Sequence, residues 1–175
     1  EETFYRALEL FPENSIIVGG PHGSTLQSPR WMTVAGPGEK KPFDELDPPH
    51  FSMEEIERYW SREAPFGLSA KGHWLPIETS RGCPNACDFC SMGSFWGSWR
   101  ARPLDLMEDY IRWCKHERAI NEFIILDDNV SLSKLRFLSL IEIFNRQGVR
   151  WSCPNGIYLR SLLDIDVLAA IADSA

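Results

Sequence analysis

The sequence predicts an α/β fold with a parallel sheet from residue 74 onward, on three observations. Short apolar runs, typical of buried strands, alternate there with segments whose apolar residues recur every three or four positions, as in amphipathic helices. This alternation repeats three times, and three consecutive strand–helix units predict parallel strands joined by right-handed crossovers. Cap residues also stand at helix ends, Gly148 after one helix and Asp164 before another.

The three predicted strands cover residues 74–79, 122–126 and 149–153. The first helix is predicted over 103–118, where apolar residues recur at Leu104, Met107, Ile111 and Cys114. The second helix ends at Gly148, and its predicted core residues are Leu135, Leu138, Ile141 and either Leu140 or Phe144. The third begins after Asp164, and its predicted core residues are Val167, Leu168 and Ile171.

The first part of the chain has a different pattern. Residues 1–10 have the spacing of a short amphipathic helix, and residues 15–18 form an apolar strand followed by Gly19 and Gly20. Two adjacent glycines at the end of a strand let a ligand approach the backbone closely. This arrangement predicts the end of an α/β domain over residues 1–23.

A proline-rich linker is predicted over residues 24–73, ahead of the α/β region at 74–175. Within it, Ser52 followed by Glu55 forms a capping-box pattern for a helix near 52–60. The chain opens in a helical pattern without an initial methionine, so we expect a fragment of a longer protein.

Composition excludes some classes of function. The net charge of −7 gives no overall electrostatic footprint for nucleic acid, although a local basic patch would still permit an RNA substrate. No run of eighteen apolar residues occurs, so no membrane span is expected. Cysteines free to bind a metal suit a reducing cytoplasm.

Three of the five cysteines, Cys83, Cys87 and Cys90, lie within eight residues in a C-x3-C-x2-C pattern. Thiolates this close in a Gly- and Pro-containing loop can converge on an iron–sulfur cluster and leave one of four irons open. Structural zinc sites usually need a second cysteine or histidine pair, and ferredoxin-type clusters a fourth cysteine nearby. Neither is present around this loop, although zinc, another iron–sulfur centre and chance spacing remain alternatives.

The motif resembles that of the radical S-adenosylmethionine (radical SAM) superfamily, in which an aromatic residue, here Phe89, precedes the third cysteine. The resemblance implies that the three cysteines hold a [4Fe–4S] cluster whose open iron binds S-adenosylmethionine (SAM). It further implies reductive cleavage of SAM to a 5′-deoxyadenosyl radical that abstracts a hydrogen atom. The implied fold is half of a partial (β/α)6 barrel.

The residues flanking the motif resemble the cobalamin-associated branch of that superfamily. Thr79–Gly82 precede the cysteines and Ser91–Met92 follow them, and the earlier Val-Gly-Gly-Pro-His segment resembles the C-terminal end of a Rossmann-like cobalamin-binding domain. The resemblance implies that Gly19 and Gly20 line the nucleotide tail of cobalamin. The cobalt-binding D-x-H-x-x-G motif is not in this sequence, and His22 is interpreted as an ordinary loop histidine.

A second constellation, Asp127-Asp128-Asn129, follows the second predicted strand and should face the same mouth as the cysteine loop. The resemblance implies that this position, together with Phe89, contacts SAM. A carboxylate suits the SAM ammonium group because charge strengthens the hydrogen bond. The alternative is that these residues cap the following helix.

Other polar residues admit two interpretations. Asn155 and Gly156, after the third strand, reach the mouth or merely form a loop. The residues after the cysteine loop either bind an anionic substrate or pack at the entry of the first helix, and we favour packing; they are Trp96, Trp99, Arg100 and Arg102. Cys114 and Cys153 are predicted to be structural.

The function that the resemblance implies is that of a radical SAM enzyme, with cobalamin-dependent methyl transfer as one outcome and cyclisation or rearrangement as others. It implies a reductant protein such as flavodoxin or ferredoxin, and a small-molecule, peptide or RNA substrate. The alternatives are an iron–sulfur electron-transfer protein and a non-catalytic module that binds a cluster.

Overall fold

The computed structural model describes residues 17–18, 33–34, 43–60, 73–90, 92, 96 and 98–174. The chain divides into two compact units, Glu1–Lys41 and Pro42–Ala175. In the first unit, strands β1 (Ile17–Val18) and β2 (Thr33–Val34) pair in parallel.

Several predictions for the first unit fall on residues outside the described part of the chain. They are the helix over 1–10 and the residues Gly19, Gly20 and His22. The Rossmann-like cobalamin-binding remnant over 1–23 therefore stays a prediction, as do the boundaries of the linker.

The described strands of the second unit are β3 (Trp74–Ile77), β4 (Ser80–Arg81), β5 (Arg100–Ala101), β6 (Glu122–Ile125) and β7 (Arg150–Ser152). Its described helices are a 3-10 turn at Phe43–Glu45 and α1 (Met53–Trp60), α2 (Leu104–Arg118), α3 (Lys134–Gln147), α4 (Leu159–Leu162) and α5 (Ile165–Ala172). Strands β3, β6 and β7 form a parallel sheet in that order, which confirms the predicted α/β class and its parallel strands. Strands β4 and β5 form a short antiparallel pair that the sequence did not predict.

The sheet order explains the sequences of its strands. All four residues of the central strand β6 are buried, which suits its β-branched and aromatic residues. The carbonyls of His73, directly before β3, and of Ile77, the last residue of β3, accept hydrogen bonds from N–H groups of β6 and of the residues next to it. The N–H groups of successive residues in a strand point to opposite sides. Pro76 directly precedes Ile77, so its missing N–H falls on the side of β3 away from β6, where the ladder does not need it.

The helices begin and end at the predicted caps. In α1 the Ser52 hydroxyl accepts from the Glu55 N–H and the Glu55 carboxylate accepts from the Ser52 N–H, which confirms the capping box. Helix α3 ends at Gly148 in the left-handed conformation (φ 59°). The Asp164 carboxylate accepts from the Asp166 N–H at the start of α5.

The hydrophobic core lies between the sheet and helices α2, α3 and α5, and includes the buried Cys114, as predicted. The buried stripe of α3 runs through Phe137, Leu140, Ile141 and Phe144. Leu135 was wrongly predicted to face the core, since its side chain is 78% exposed. It precedes Phe137 by two residues, which places it nearly opposite on a helix of 3.6 residues per turn. The prediction that Leu168 faces the core is also wrong, because the neighbouring Val167 takes the buried position in α5.

The segment ahead of α1 packs on the same unit through a few long-range contacts. The Tyr110 hydroxyl donates to the Pro49 carbonyl at 2.7 Å, and the Arg102 guanidinium donates to the Leu46 carbonyl. The guanidinium groups of Arg81 and Arg102 both lie over the ring of Phe43, at 4.5 and 4.4 Å from its centroid. In the part of the chain that the structure describes, no helix has the length and hydrophobicity needed to cross a bilayer.

Candidate functional site

The cysteine loop follows β3, at the edge of the sheet where the parallel strands end, as the sequence predicts. One cavity at this edge draws residues from the loops after β3, β6 and β7. Its lining residues are Cys83, Asn85, Cys87, Phe89, Cys90, Met92, Asp128, Asn129, Asn155, Gly156, Ile157 and Tyr158. The loops at this edge carry the reacting groups in enzymes built from βα units.

The three loop cysteines are free thiols, with Cys83 half-buried and Cys87 and Cys90 exposed. The Cys90 N–H donates to the Cys87 carbonyl at 2.9 Å, so a tight turn presents the last two thiols. Among the described residues no group of three His, Cys, Asp or Glu side chains is already gathered as metal ligands. The donor set itself fits an iron–sulfur cluster with three protein ligands, because three free thiols line one cavity.

Asp127 is buried beneath this loop and is 2% exposed. Its Oδ1 atom accepts from the Thr79 N–H, and its Oδ2 atom accepts from the Thr79 and Ser80 hydroxyls, each at 2.6 Å. Burial raises the pKa of Asp127, and the hydrogen bonds from Ser80 and Thr79 oppose that rise. The carboxylate therefore holds the junction between β3 and the cysteine loop.

The next two residues contact the loop itself. The Asp128 Oδ2 atom accepts from the Gly82 N–H at 2.8 Å, and the Asn129 Nδ2 atom donates to Cys83 Sγ at 3.8 Å. Backbone pairing between β3 and β6 ends just before these residues, at the bond from Leu126 N–H to the Ile77 carbonyl. The side chains of Asp127, Asp128 and Asn129 thus hold the two chain segments together beyond the last backbone hydrogen bond between them.

Gly82 has the backbone conformation that this alignment requires. Its φ is 86°, in the region that favours glycine, and a Cβ there would lie 3.0 Å from the Ser98 carbonyl oxygen. A glycine therefore suits the position directly before Cys83, because its backbone has a positive φ there and there is no room for a Cβ. In this conformation its N–H reaches Asp128.

The geometry separates the four residues predicted to contact SAM. Asp128 and Asn129 line the cavity, whereas Asp127 does not and has both oxygens hydrogen-bonded within the protein. The alternative that these residues cap the following helix is wrong, because Ser133 is the N-cap of α3 and accepts from the Arg136 N–H. Phe89 also lines the cavity and is 93% exposed.

Loop residues after β7 complete the cavity. Asn155 donates from Nδ2 to the carbonyls of Leu126 and Asp127, at 3.0 and 3.3 Å, and so braces the end of β6. Gly156 lies beside it at the same mouth. Cys153 is half-buried against the core, and burial followed by the charge of Asp127 raises the pKa of its thiol.

A hydrogen-bonded pair, Glu78 and Arg81, lies at the start of the cysteine loop. Arg81 donates from Nε and Nη2 to the two carboxylate oxygens of Glu78, at 2.8 and 2.6 Å. Burial is the largest cause that raises the pKa of Glu78 to about 7, and the charges of Asp127 and Asp128 add to it. The Arg81 guanidinium also lies 4.6 Å from the centroid of Trp96.

Of the two basic residues after the loop, Arg102 packs as predicted and Arg100 is exposed. Arg102 is 4% exposed, and its Nε atom donates to the Glu78 carbonyl at 3.1 Å, which confirms the packing interpretation for this residue. Trp96 packs beneath Arg81, and Trp99 is half-buried. Arg100 is exposed at the start of β5.

The sequence did not predict the roles of Thr79, Ser80 and Gly82. Their partners lie 46 to 48 residues away in the chain, so local spacing carries no signal for them. The Glu78–Arg81 pair had a local signal, since its members are three residues apart.

Comparison with known proteins decides the family. The model of the radical SAM superfamily matches residues 77–174, which include the last residue of β3, the cysteine loop and the strands β6 and β7. This chain belongs to the radical SAM superfamily. The family predicted from the cysteine motif is therefore confirmed.

Several curated proteins are similar to this radical SAM chain. Cytidylyl-2-hydroxyethylphosphonate methyltransferase from Streptomyces wedmorensis is 30% identical over 156 residues, which are 88% of this chain and 28% of that protein. Bacteriochlorophyllide d C-12(1)-methyltransferase from Chlorobaculum tepidum is 31% identical over 117 residues, 64% of this chain and 24% of the relative. Anaerobic magnesium-protoporphyrin IX monomethyl ester cyclase from Rubrivivax gelatinosus is 26% identical over 134 residues, 74% of this chain and 23% of the relative. The chain thus spans about a quarter of the length of these methyltransferases and this cyclase.

Proposed function

We propose that this chain is the part of a radical SAM enzyme that binds a [4Fe–4S] cluster and SAM. The observation that carries the proposal is one cavity lined by three free cysteines and by Asp128 and Asn129. When bound, the cluster and SAM supply a 5′-deoxyadenosyl radical for hydrogen abstraction, while the protein positions the cofactors and excludes water.

The thiolates of Cys83, Cys87 and Cys90 are the proposed cluster ligands. All three lie on one loop, and the loop is held at its base by Asp127 and Asp128. Holding the loop before the metal binds lowers the entropy lost when the ligands are ordered around it.

Asp128 is the proposed partner of the SAM ammonium group, and Asp127 is not. Asp128 is half-buried at the cavity, and its Oδ2 atom is bound to the Gly82 N–H while the carboxylate retains further acceptor sites. A carboxylate in that place can accept a charge-assisted hydrogen bond from an ammonium group. The exposed ring of Phe89 offers an apolar surface at the same mouth.

Methyl transfer with cobalamin as methyl carrier is the proposed outcome, and cyclisation is the second. Support comes from the relatives, which are named methyltransferases and a cyclase. Gly19 and Gly20 are the proposed contacts of the cobalamin nucleotide tail. A reductant such as flavodoxin or ferredoxin would supply the electron, in the cytoplasm, and the substrate would be a small molecule, a peptide or an RNA.

The test is anaerobic reconstitution of the chain with iron and sulfide, followed by electron paramagnetic resonance (EPR) of the reduced protein with and without SAM. We expect a [4Fe–4S]⁺ signal that shifts when SAM is added. Cys87→Ala should abolish the signal, and the matched control Cys153→Ala should retain it, because Cys153 does not line the cavity. A signal that ignores SAM would favour an electron-transfer or non-catalytic cluster module, and no cluster at all would contradict the proposal and favour zinc.

A further inference from the structure

Asn129 is a buried amide that faces a thiol of the cysteine loop. Its side chain is 6% exposed, on the loop between β6 and α3, and Nδ2 lies 3.8 Å from Cys83 Sγ with the N–H donating. A buried amide is costly unless it is hydrogen-bonded, so its orientation is determined by its partners.

The other end of the amide is fixed by Ser131. The Ser131 hydroxyl donates to Asn129 Oδ1 at 3.3 Å, and the same hydroxyl oxygen accepts from the Tyr158 N–H at 3.1 Å. The Ser161 hydroxyl donates to the Ser131 carbonyl at 3.0 Å, which ties that residue to α4. Because Tyr158 N–H approaches the Ser131 oxygen, the hydroxyl proton is directed at Oδ1, and the N–H groups of Asn129 point toward Cys83.

A second amide of the cavity, that of Asn155, has a different arrangement. Asn155 donates to the backbone carbonyls of Leu126 and Asp127 and to no thiol. The contact between Asn129 and Cys83 therefore depends on where the Asn129 side chain lies, since Asn155 at the same mouth makes different contacts.

We propose that Asn129 is a positioning residue that donates an N–H···S hydrogen bond to the Cys83 thiolate and thereby sets the reduction potential of the cluster. Ser131 holds the amide in the donating orientation. The inference rests on the proposed cluster-binding function and adds to it a residue that tunes the cluster rather than one that contacts SAM. Hydrogen bonds to ligand sulfur withdraw electron density from the thiolate, which favours the reduced cluster and raises its potential.

The experiment compares the reconstituted chain with its Asn129→Leu and Ser131→Ala variants. Leu resembles Asn in size and has no donor, and Ser131→Ala keeps the amide but removes the group that orients it. Midpoint potentials are measured by EPR-monitored redox titration without SAM, alongside iron and sulfide content. Ser133→Ala is the matched control, because Ser133 caps α3 and does not contact Asn129.

We expect a more negative potential in Asn129→Leu, a smaller shift in the same direction in Ser131→Ala, and no shift in Ser133→Ala. Unchanged potentials in both Asn129→Leu and Ser131→Ala, at full cluster content, would overturn the inference and leave the proposed function intact. Absence of a cluster in the unsubstituted chain would overturn the proposed function itself. If Asn129→Leu takes up no cluster, Ser131→Ala decides the matter, because that variant retains the amide and every thiol.

Discussion

Replacing Asp127 tests the claim that this carboxylate holds the start of the cysteine loop. Asp127→Ala removes the acceptor for three donors, the N–H and hydroxyl of Thr79 and the hydroxyl of Ser80. Thr79 and Ser80 are both buried, so water cannot replace the lost acceptor without a local opening of the structure.

The size of the effect follows from those three bonds. A buried donor left unsatisfied costs about 1 kcal/mol or more, so three donors cost about 3 kcal/mol. Removal of a carboxylate whose pKa is raised by burial returns part of this, which gives an expected loss of about 2–3 kcal/mol in the free energy of unfolding. Asp127→Asn keeps one acceptor oxygen and an amide that can donate to a hydroxyl, and should cost about 1 kcal/mol.

Urea denaturation of the cluster-free chain, followed by far-UV circular dichroism, measures these losses. Asp109→Ala is the matched control, because Asp109 is exposed in α2 and pairs only across one helical turn with Arg112. Its effect should stay within about 0.5 kcal/mol. If Asp127→Ala costs no more than Asp109→Ala, the carboxylate does not hold the loop and the reasoning is refuted.

Three further predictions concern the same unit. Burial raises the pKa of Glu78 above its unfolded value, to about 7, so the contribution of this group to stability is largest at acidic pH and is lost as pH rises through about 7. Glu78→Gln should reduce the difference in unfolding free energy between pH 5.5 and pH 8 by about 1–2 kcal/mol in urea denaturation, and an unchanged difference would contradict this. Gly82→Ala should cost about 1–2 kcal/mol more than Gly156→Ala by the same assay, since both have positive φ but only the first Cβ meets backbone. Phe137→Ala should lower the free energy of unfolding by about 3–5 kcal/mol in thermal or urea denaturation, and Leu135→Ala by less than about 0.5 kcal/mol. Similar losses in the two variants would contradict the exposed position of Leu135.

Features with a local signal could be predicted from the sequence. The capping box of Ser52 and Glu55, the end of α3 at Gly148 and the start of α5 at Asp164 each depend on residues a few positions apart. Helical spacing also placed Cys114 correctly in the core. It failed for Leu135, because an apolar residue near the first turn of a helix can belong to either of two overlapping periodic stripes, and contact with the sheet selects one.

The candidate site shows the same division. The cysteine spacing predicted the family and placed three thiols together after β3, since all three cysteines lie in one short loop. The sequence also brought Asp127, Asp128 and Asn129 to the same edge as that loop, because parallel strands end together. It could not assign separate tasks to these three residues.

The sequence by itself determined the superfamily, the three strand–helix units and the loop that carries the thiols, because each is written in the spacing of residues close together in the chain. Only the tertiary structure decided that Asp127 is buried under Thr79 and Ser80, that Asp128 holds Gly82 and that Asn129 faces Cys83. Those contacts join segments nearly fifty residues apart, and the register between β3 and β6 sets which side chain meets which partner. Register is a property of the assembled sheet, since a shift of one residue would turn every side chain to the other face.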